Sequence, residues 1–217
     1  MSMTRTGPLW GVLAVALLSG ALATPAQAHP HVWIVYETTV VYEKGTFVGV
    51  RHKWSFDEFY TAMAIEGLDK NKDGVYDREE LAELAKVNID GLKDFSFFTF
   101  PALAGTEIKI GEARDYWLEH KDGVLSLVFT LPFVSPVLEE AKGLTIAVHD
   151  PTYFIAFEPA KTDPARLSEG APRRCKALVG TPGQQPGKGA GLDGQQSQLG
   201  GFSISVGKAI MVECNGP

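Results

Sequence analysis

Between Asp69 and Glu80 the chain places oxygen-bearing side chains at a spacing suited to a hard cation. They are Asp69, Asn71, Asp73, Asp77 and Glu80, with Gly74 between the third and fourth. Alternate residues of a tight loop can turn their oxygens inward, a glycine permits the sharp bend, and calcium asks for six to eight oxygens at about 2.3–2.6 Å. The set would be completed by the Val75 backbone carbonyl, by Asp77 directly or through water, and by both carboxylate oxygens of Glu80. This is the pattern of a single EF-hand calcium loop. The blander alternative is a solvated acidic turn that binds nothing.

A loop of this kind needs a helix on each side. Phe56, Phe59, Tyr60 and Met63 recur at helical spacing and predict a helix over 56–68, with Ser55 as its N-cap. Residues 78–87, rich in Glu, Ala, Leu and Lys, predict a second helix with Leu81, Leu84 and Ala85 on one face. The expected unit is an EF-hand-like helix–loop–helix over 56–88. Tyr76 departs from the aliphatic residue usual at its position in paired hands. The sequence holds no second loop of this form, so a structural or buffering role is expected rather than sensor-like switching.

A second kind of metal chemistry is suggested near the start. Arg5, an apolar run over 9–18 and the small residues ending in Ala26-Gln27-Ala28 read as a secretory signal peptide, 1–28, too short for a convincing membrane span. The alternative is a retained anchor. No cysteine stands at the cleavage region, which leaves a lipoprotein anchor unsupported. Cutting after Ala28 would expose His29-Pro30-His31. A terminal histidine chelates through its α-amine and Nδ1, and His31 can add a third nitrogen, a set that suits copper, zinc, nickel or cobalt. Pro30 has no amide proton to lose, which blocks the square-planar amide mode and leaves something similar to a histidine brace. His29 and His31 would share one face of a starting strand. His149, beside Asp150 and Pro151, is the favoured completing ligand; His52 and His120 are weaker candidates. The competing view is that His29 and His31 are polar residues at a frayed terminus.

The elements that must position these groups are mostly strands. β-rich runs occur at 31–42, 46–54, 95–100, 108–110, 113–120, 124–133, 144–149, 153–157 and 209–214. Glu43-Lys44-Gly45 and Lys121-Asp122-Gly123 read as hairpin turns. The expected fold is α+β: a largely antiparallel β-sheet structure with the helix–loop–helix inserted, forming a single domain over 29–217. Cys175 and Cys214 form an even pair in an exported chain and are expected to be disulfide-bonded. Free thiols or a metal pair are the alternatives, but neither cysteine has a Cys or His partner at ligand spacing. The stretch at about 181–201 is nearly all Gly, Gln, Pro, Ser and Lys and is expected to be a disordered insertion. The chain has 217 residues, 45% of them hydrophobic and 21% charged, which is a globular balance. Its net charge of −6 argues against nucleic acid as a partner.

His29-Pro30-His31-Val32-Trp33, Trp54-Ser55-Phe56-Asp57-Glu58-Phe59-Tyr60, the 69–80 loop and Asp150-Pro151-Thr152-Tyr153, in this order, resemble a domain-of-unknown-function family of Gram-negative periplasmic proteins. Its members are labelled periplasmic components of an ABC-type transport system and are commonly encoded beside nickel/cobalt-type transporters. The resemblance implies a periplasmic location, an inner-membrane metal transporter as partner, and an accessory role in transition-metal handling. Relative to that family, 181–201 looks like an insertion. No enzyme is expected, since neither a G-x-S-x-G elbow nor an H-E-x-x-H helix occurs. The alternatives are a copper histidine-brace oxidative enzyme and a calcium-stabilised scaffold that recruits a protein.

Overall fold

The computed structural model describes residues 31–182, 198–199, 202–203 and 207–215. Residues 1–30, including the expected leader and His29, lie outside them, as does most of the expected insertion at 181–201.

The first two strands, β1 (Val32–Glu43) and β2 (Thr46–Phe56), form an antiparallel hairpin. Its turn runs through Lys44 and Gly45, both left-handed at φ 47° and 90°. Successive side chains of a strand point to opposite faces, so Ile34, Tyr36, Thr38 and Val40 line one side of β1. They register with Phe56, Trp54, His52 and Val50 of β2. Strand β6 (Val124–Leu138) continues the sheet beside β2, and β5 (Arg114–Lys121) pairs with β6 through the expected Asp122-Gly123 turn. At Gly49 a Cβ would sit 2.3 Å from the Leu131 carbonyl oxygen, so this irregular stretch of the β2–β6 ladder admits only glycine.

Two strands run parallel to β1, against the antiparallel rule of the rest: β8 (Ile155–Pro159) and β9 (Ala165–Leu167). A second, antiparallel sheet has the order β10 (Cys175–Gly180), β13 (Ala209–Cys214), β7 (Leu144–Val148), β3 (Thr99–Leu103), β4 (Thr106–Glu107). Between β10 and β13, β11 (Gln198–Leu199) pairs with β12 (Phe202–Ser203). The two large sheets share a core in which Trp54, Phe129 and Leu131 of the first join Leu144, Ile146 and Ile210 of the second.

The helices differ from expectation in their ends, and the first also in the face it buries, while the second buries Leu81 and Ala85 as expected. Phe56 and Ser55 belong to β2, where the Ser55 hydroxyl bonds that of Ser126 at 2.9 Å. The first helix, α1, is Glu58–Ala64, and its N-cap is Asp57, whose Oδ1 accepts the Tyr60 N–H at 2.9 Å. Phe59 and Met63 face solvent; Thr61 is the buried position, and its hydroxyl accepts the Leu125 N–H. The second helix, α2, is Ala82–Leu92, starting and ending later than expected and burying Ala85 and Ile89.

The aromatic run 95–100 does not start as a strand. Residues Lys93–Phe98 form a turn of 3-10 type in which Ser96, Phe97 and Phe98 are left-handed, and β3 begins only at Thr99. Strand alternation would send consecutive residues to opposite faces, whereas Phe97 and Phe98 are both buried. Of 108–110, Ile110 makes an isolated bridge to Phe133. Strand β10 was not expected.

Candidate calcium loop and the amino-terminal end

The 69–80 segment is tied together by its own oxygens. Asp69 Oδ1 accepts the N–H groups of Lys72 and Asp73, and its Oδ2 accepts that of Gly74. Asn71 Oδ1 accepts from Asp73, Asp73 Oδ1 from Val75, and Asp77 Oδ1 from Glu79 and Glu80. The final residue reaches back to the start. Glu80 Oε1 accepts the Lys70 N–H at 2.8 Å and the Asn71 N–H at 3.4 Å, while Oε2 accepts the Asp77 N–H at 3.3 Å. Gly74 is required by conformation rather than by space, since its φ is 81° and a Cβ there would meet nothing within 4 Å.

The loop is clamped to the first sheet at two points on β5. The Tyr76 ring meets the His120 ring edge-on at 5.0 Å, and the Arg78 guanidinium lies 4.4 Å from the centre of the Trp117 ring. Tyr76, the departure from the usual loop pattern, thus serves as the loop's aromatic foot. Arg78 is engaged with an aromatic face, and among the described residues none of the loop carboxylates forms an ion pair.

The donor set fits calcium in kind and number. Its members are hard oxygens, and Asp69 Oδ2, Asp73 Oδ1 and Glu80 Oε2, each accepting a single N–H, keep a further lone pair for a cation, whereas Asp69 Oδ1, Asp77 Oδ1 and Glu80 Oε1 already accept two. As they stand, these oxygens are directed at the loop's own N–H groups. Among the described residues no group of three or more His, Cys, Asp or Glu is placed to hold a metal ion.

The imidazoles are dispersed. His52 is fully buried, and the Thr99 hydroxyl beside it donates to the Phe97 carbonyl, so it must accept from His52 Nε2–H. Nδ1 then accepts from Thr38, at 2.9 Å. The ring links β1, β2 and β3 across the core, and burial pushes its pKa down to about 3. This is a core histidine with both nitrogens satisfied. His120 is committed to Tyr76, His149 rests on the Phe100 ring at 4.7 Å, and His31 on that of Phe154 at 4.7 Å. Burial lowers the pKa of His149, against an opposing pull from Asp150, which favours the neutral, ligating form. The described residues therefore do not bring His31 and His149 together with a third ligand; His29 lies outside them.

What the structure does gather at the start of β1 is a set of backbone anchors. Asp57, besides capping α1, accepts the Trp33 N–H on Oδ2 at 2.9 Å. The His31 N–H donates to the Phe154 carbonyl at 2.9 Å. Phe154 is itself held by Asp150, whose Oδ1 accepts the Thr152 N–H and hydroxyl and whose Oδ2 accepts the N–H groups of Phe154 and Ile155. Burial pushes the Asp150 carboxyl up, but these hydrogen bonds outweigh it and leave the group below the usual carboxylate range. No feature of the sequence marked Asp150 as an anchor, nor Asp57 as the partner of Trp33. Both follow a strand end, and Asp57 three residues before Tyr60 is the cap signal that Ser55 obscured.

Cys175 and Cys214 face each other across β10 and β13 and are disulfide-bonded. Among the described residues no helix is long and apolar enough to cross a membrane. No solved structure matches this chain. An uncharacterized protein of Haemophilus influenzae is 25% identical over 131 residues, 60% of this chain, and the chain spans 62% of that relative's length. The match to the family model covers residues 14–199, and the chain belongs to the family described as "Protein of unknown function (DUF1007)".

Proposed function

We propose that this chain is an exported, calcium-stabilised accessory protein of transition-metal handling. One calcium ion would be held by Asp69, Asn71, Asp73, the Val75 carbonyl, Asp77 and Glu80, between α1 and α2 as the two arms of an EF-hand-like unit. The observation that carries this reading is the return of Glu80, a buried carboxylate, to the N–H groups of Lys70 and Asn71 at the opposite end of the loop. A last-position carboxylate folded over the first residues is what a closing bidentate ligand requires. Bound calcium supplies charge neutralisation among four carboxylates, and the loop's clamps on His120 and Trp117 carry that order into the sheet. Titration calorimetry tests this: Glu80→Gln should weaken calcium binding at least about tenfold, or 1.4 kcal/mol. An unchanged isotherm sinks the reading.

The working metal, on this proposal, is nickel, cobalt, zinc or copper, captured at His29 and His31 in the periplasm and presented to an inner-membrane transporter. Support comes from the anchoring of residues 31–33 and from the exposure of His31 at the strand start. Placing Gly-Ser before His29 should abolish the terminal chelate. Affinity that survives both this extension and His31→Ala refutes it.

A further inference from the structure

The end of β7 and the starts of β8 and β13 leave an open cleft of ≈ 440 Å³ between them. Small-molecule sites have volumes of about 300–1,000 Å³ and combine an apolar lining with a few polar groups that fix orientation. Here the apolar part is chiefly Pro151, Ile155 and Phe157, and the polar part His149, Tyr153 and Lys208. Phe157 is buried, its ring 4.9 Å from that of Trp54 and 5.5 Å from that of Phe98, so this wall is fixed by the core.

The three polar groups are uncommitted among the described residues. The His149 ring rests on Phe100 and makes no hydrogen bond there. Burial lowers its pKa and keeps it neutral, with one N–H donor and one bare acceptor nitrogen. Lys208 is in no ion pair, and the Tyr153 hydroxyl has no hydrogen-bond partner.

Tyr153 is held at the cleft against its own preference. Its φ is 59°, in the left-handed region that bulky L-residues avoid, and its side chain is 54% exposed, so burial of the ring does not compensate. Asp150 imposes the conformation. Its carbonyl accepts the Tyr153 N–H at 3.2 Å, while its carboxylate accepts from Thr152 before that residue and Phe154 after it. Backbone strain that the surroundings enforce in order to place an exposed side chain is found at ligand clamps.

The charges select the ligand. Asp150 is the one carboxylate among the described residues of the lining, and each of its oxygens already accepts two donors. It therefore has no acceptor left for an ammonium group. Lys208 supplies a cation, and Tyr153 and His149 supply neutral donors. We propose that this cleft binds a small organic monocarboxylate with an apolar body. The carboxylate is taken by Lys208, the Tyr153 hydroxyl and the His149 N–H, and the body lies against Pro151, Ile155 and Phe157. This goes beyond the metal-handling reading and needs neither of its metals.

The test is an amide-shift NMR titration of the mature chain with isovalerate, phenylacetate and hydrocinnamate. Each is run beside the amine of the same carbon skeleton, and inorganic phosphate is run as well. At least one carboxylate should saturate, shift the amides of His149, Tyr153 and Ile155, and bind at least about tenfold more tightly than its amine or phosphate. Lys208→Gln and Tyr153→Phe alter exposed side chains, so circular dichroism should stay native. The first should weaken the carboxylate at least about tenfold and the second at least about threefold. The proposal is overturned if no carboxylate binds, if amine or phosphate binds as tightly, if the shifts centre elsewhere, or if either variant binds as the wild type does. Binding that appears only when zinc or nickel is added would put the carboxylate on a metal and overturn it too. Calcium is held constant throughout and His29 is left unchanged, so failure here is distinct from failure of the calcium or terminal-chelate readings.

Discussion

Replacing Asp57 by alanine removes two unlike interactions with one atom group, and their sum can be worked out. Oδ1 caps α1 at the Tyr60 N–H, and loss of an Asp cap typically costs about 1 kcal/mol. Oδ2 accepts the Trp33 N–H, a part-buried bond to a charged group, worth about 1.5–3 kcal/mol when lost with its donor left behind. Water can reach part of this site, so the lower half of that range applies, giving a total of about 2–4 kcal/mol. For a domain of this size each kcal/mol lowers Tm by about 2–4 °C, so the melting point should fall by about 4–16 °C. Asp57→Asn keeps an acceptor at one position and should cost about half as much. Urea unfolding gives the free energies, and amide exchange gives the location: protection should fall at Trp33 and Tyr60 together in Asp57→Ala. A loss below about 0.5 kcal/mol, or faster exchange at Tyr60 with Trp33 unchanged, would refute the claim that this carboxylate joins β1 to α1.

Two other expectations concern the core and the bridge. The folded pKa of His52 lies below its unfolded value of 6.5, at about 3, so its contribution to stability is complete above about pH 6.5 and is lost as pH falls toward 3. Within that window it should add a slope approaching 1.4 kcal/mol per pH unit to the urea-unfolding free energy; His52→Gln should lack this slope, and equal slopes would show that the ring is protonated in the fold. Reducing the Cys175–Cys214 bond frees a loop with a sequence separation of 39, which the chain-entropy relation values at about 4 kcal/mol. Unfolding with and without reductant measures this directly, and a difference under about 1 kcal/mol would mean that the pairing of β10 with β13 restrains the chain without the bond.

The parts of the fold that were legible in the sequence are those decided within a few residues. Lys44-Gly45 and Asp122-Gly123 are hairpin turns because residues tolerant of positive φ stand between β-branched runs, and both adopt it. That 69–80 is a loop between α1 and α2 was legible for the same reason, since Asn, Asp and Gly cluster there. The parallel placement of β8 and β9 on β1 was not, because no local signal distinguishes a parallel partner from an antiparallel one. The register of Phe95–Phe98 was misread because aromatic residues favour strands by propensity, while the demand to bury both Phe97 and Phe98 is tertiary. The face of α1 was inverted for a related reason. Phe59 and Met63 are the obvious apolar pair, yet Thr61 packs on β6 because its hydroxyl satisfies the Leu125 N–H. His52 reads as a ligand candidate only until both of its threonine partners, one from a strand forty-seven residues away, are seen.

The three short motifs that carry the family resemblance outside the loop meet at one place, and the way they meet bears on what their acidic residues do. Beside a histidine, Asp150 invites assignment as a ligand or as the partner that orients one. Its oxygens instead accept from Thr152, Phe154 and Ile155, and it fixes the turn on which His31 rests. Asp57 does the same from the other side, through Trp33. With two donors on each oxygen, Asp150 has every lone pair engaged and serves to hold a position. The residue held between the two carboxylates is His31, exposed and immediately before the first strand. A protein that only needed a stable sandwich would gain little by anchoring a strand end from both sides. One that offers a ligand at that end gains a fixed geometry for it, because an anchored end loses less conformational freedom when a metal arrives.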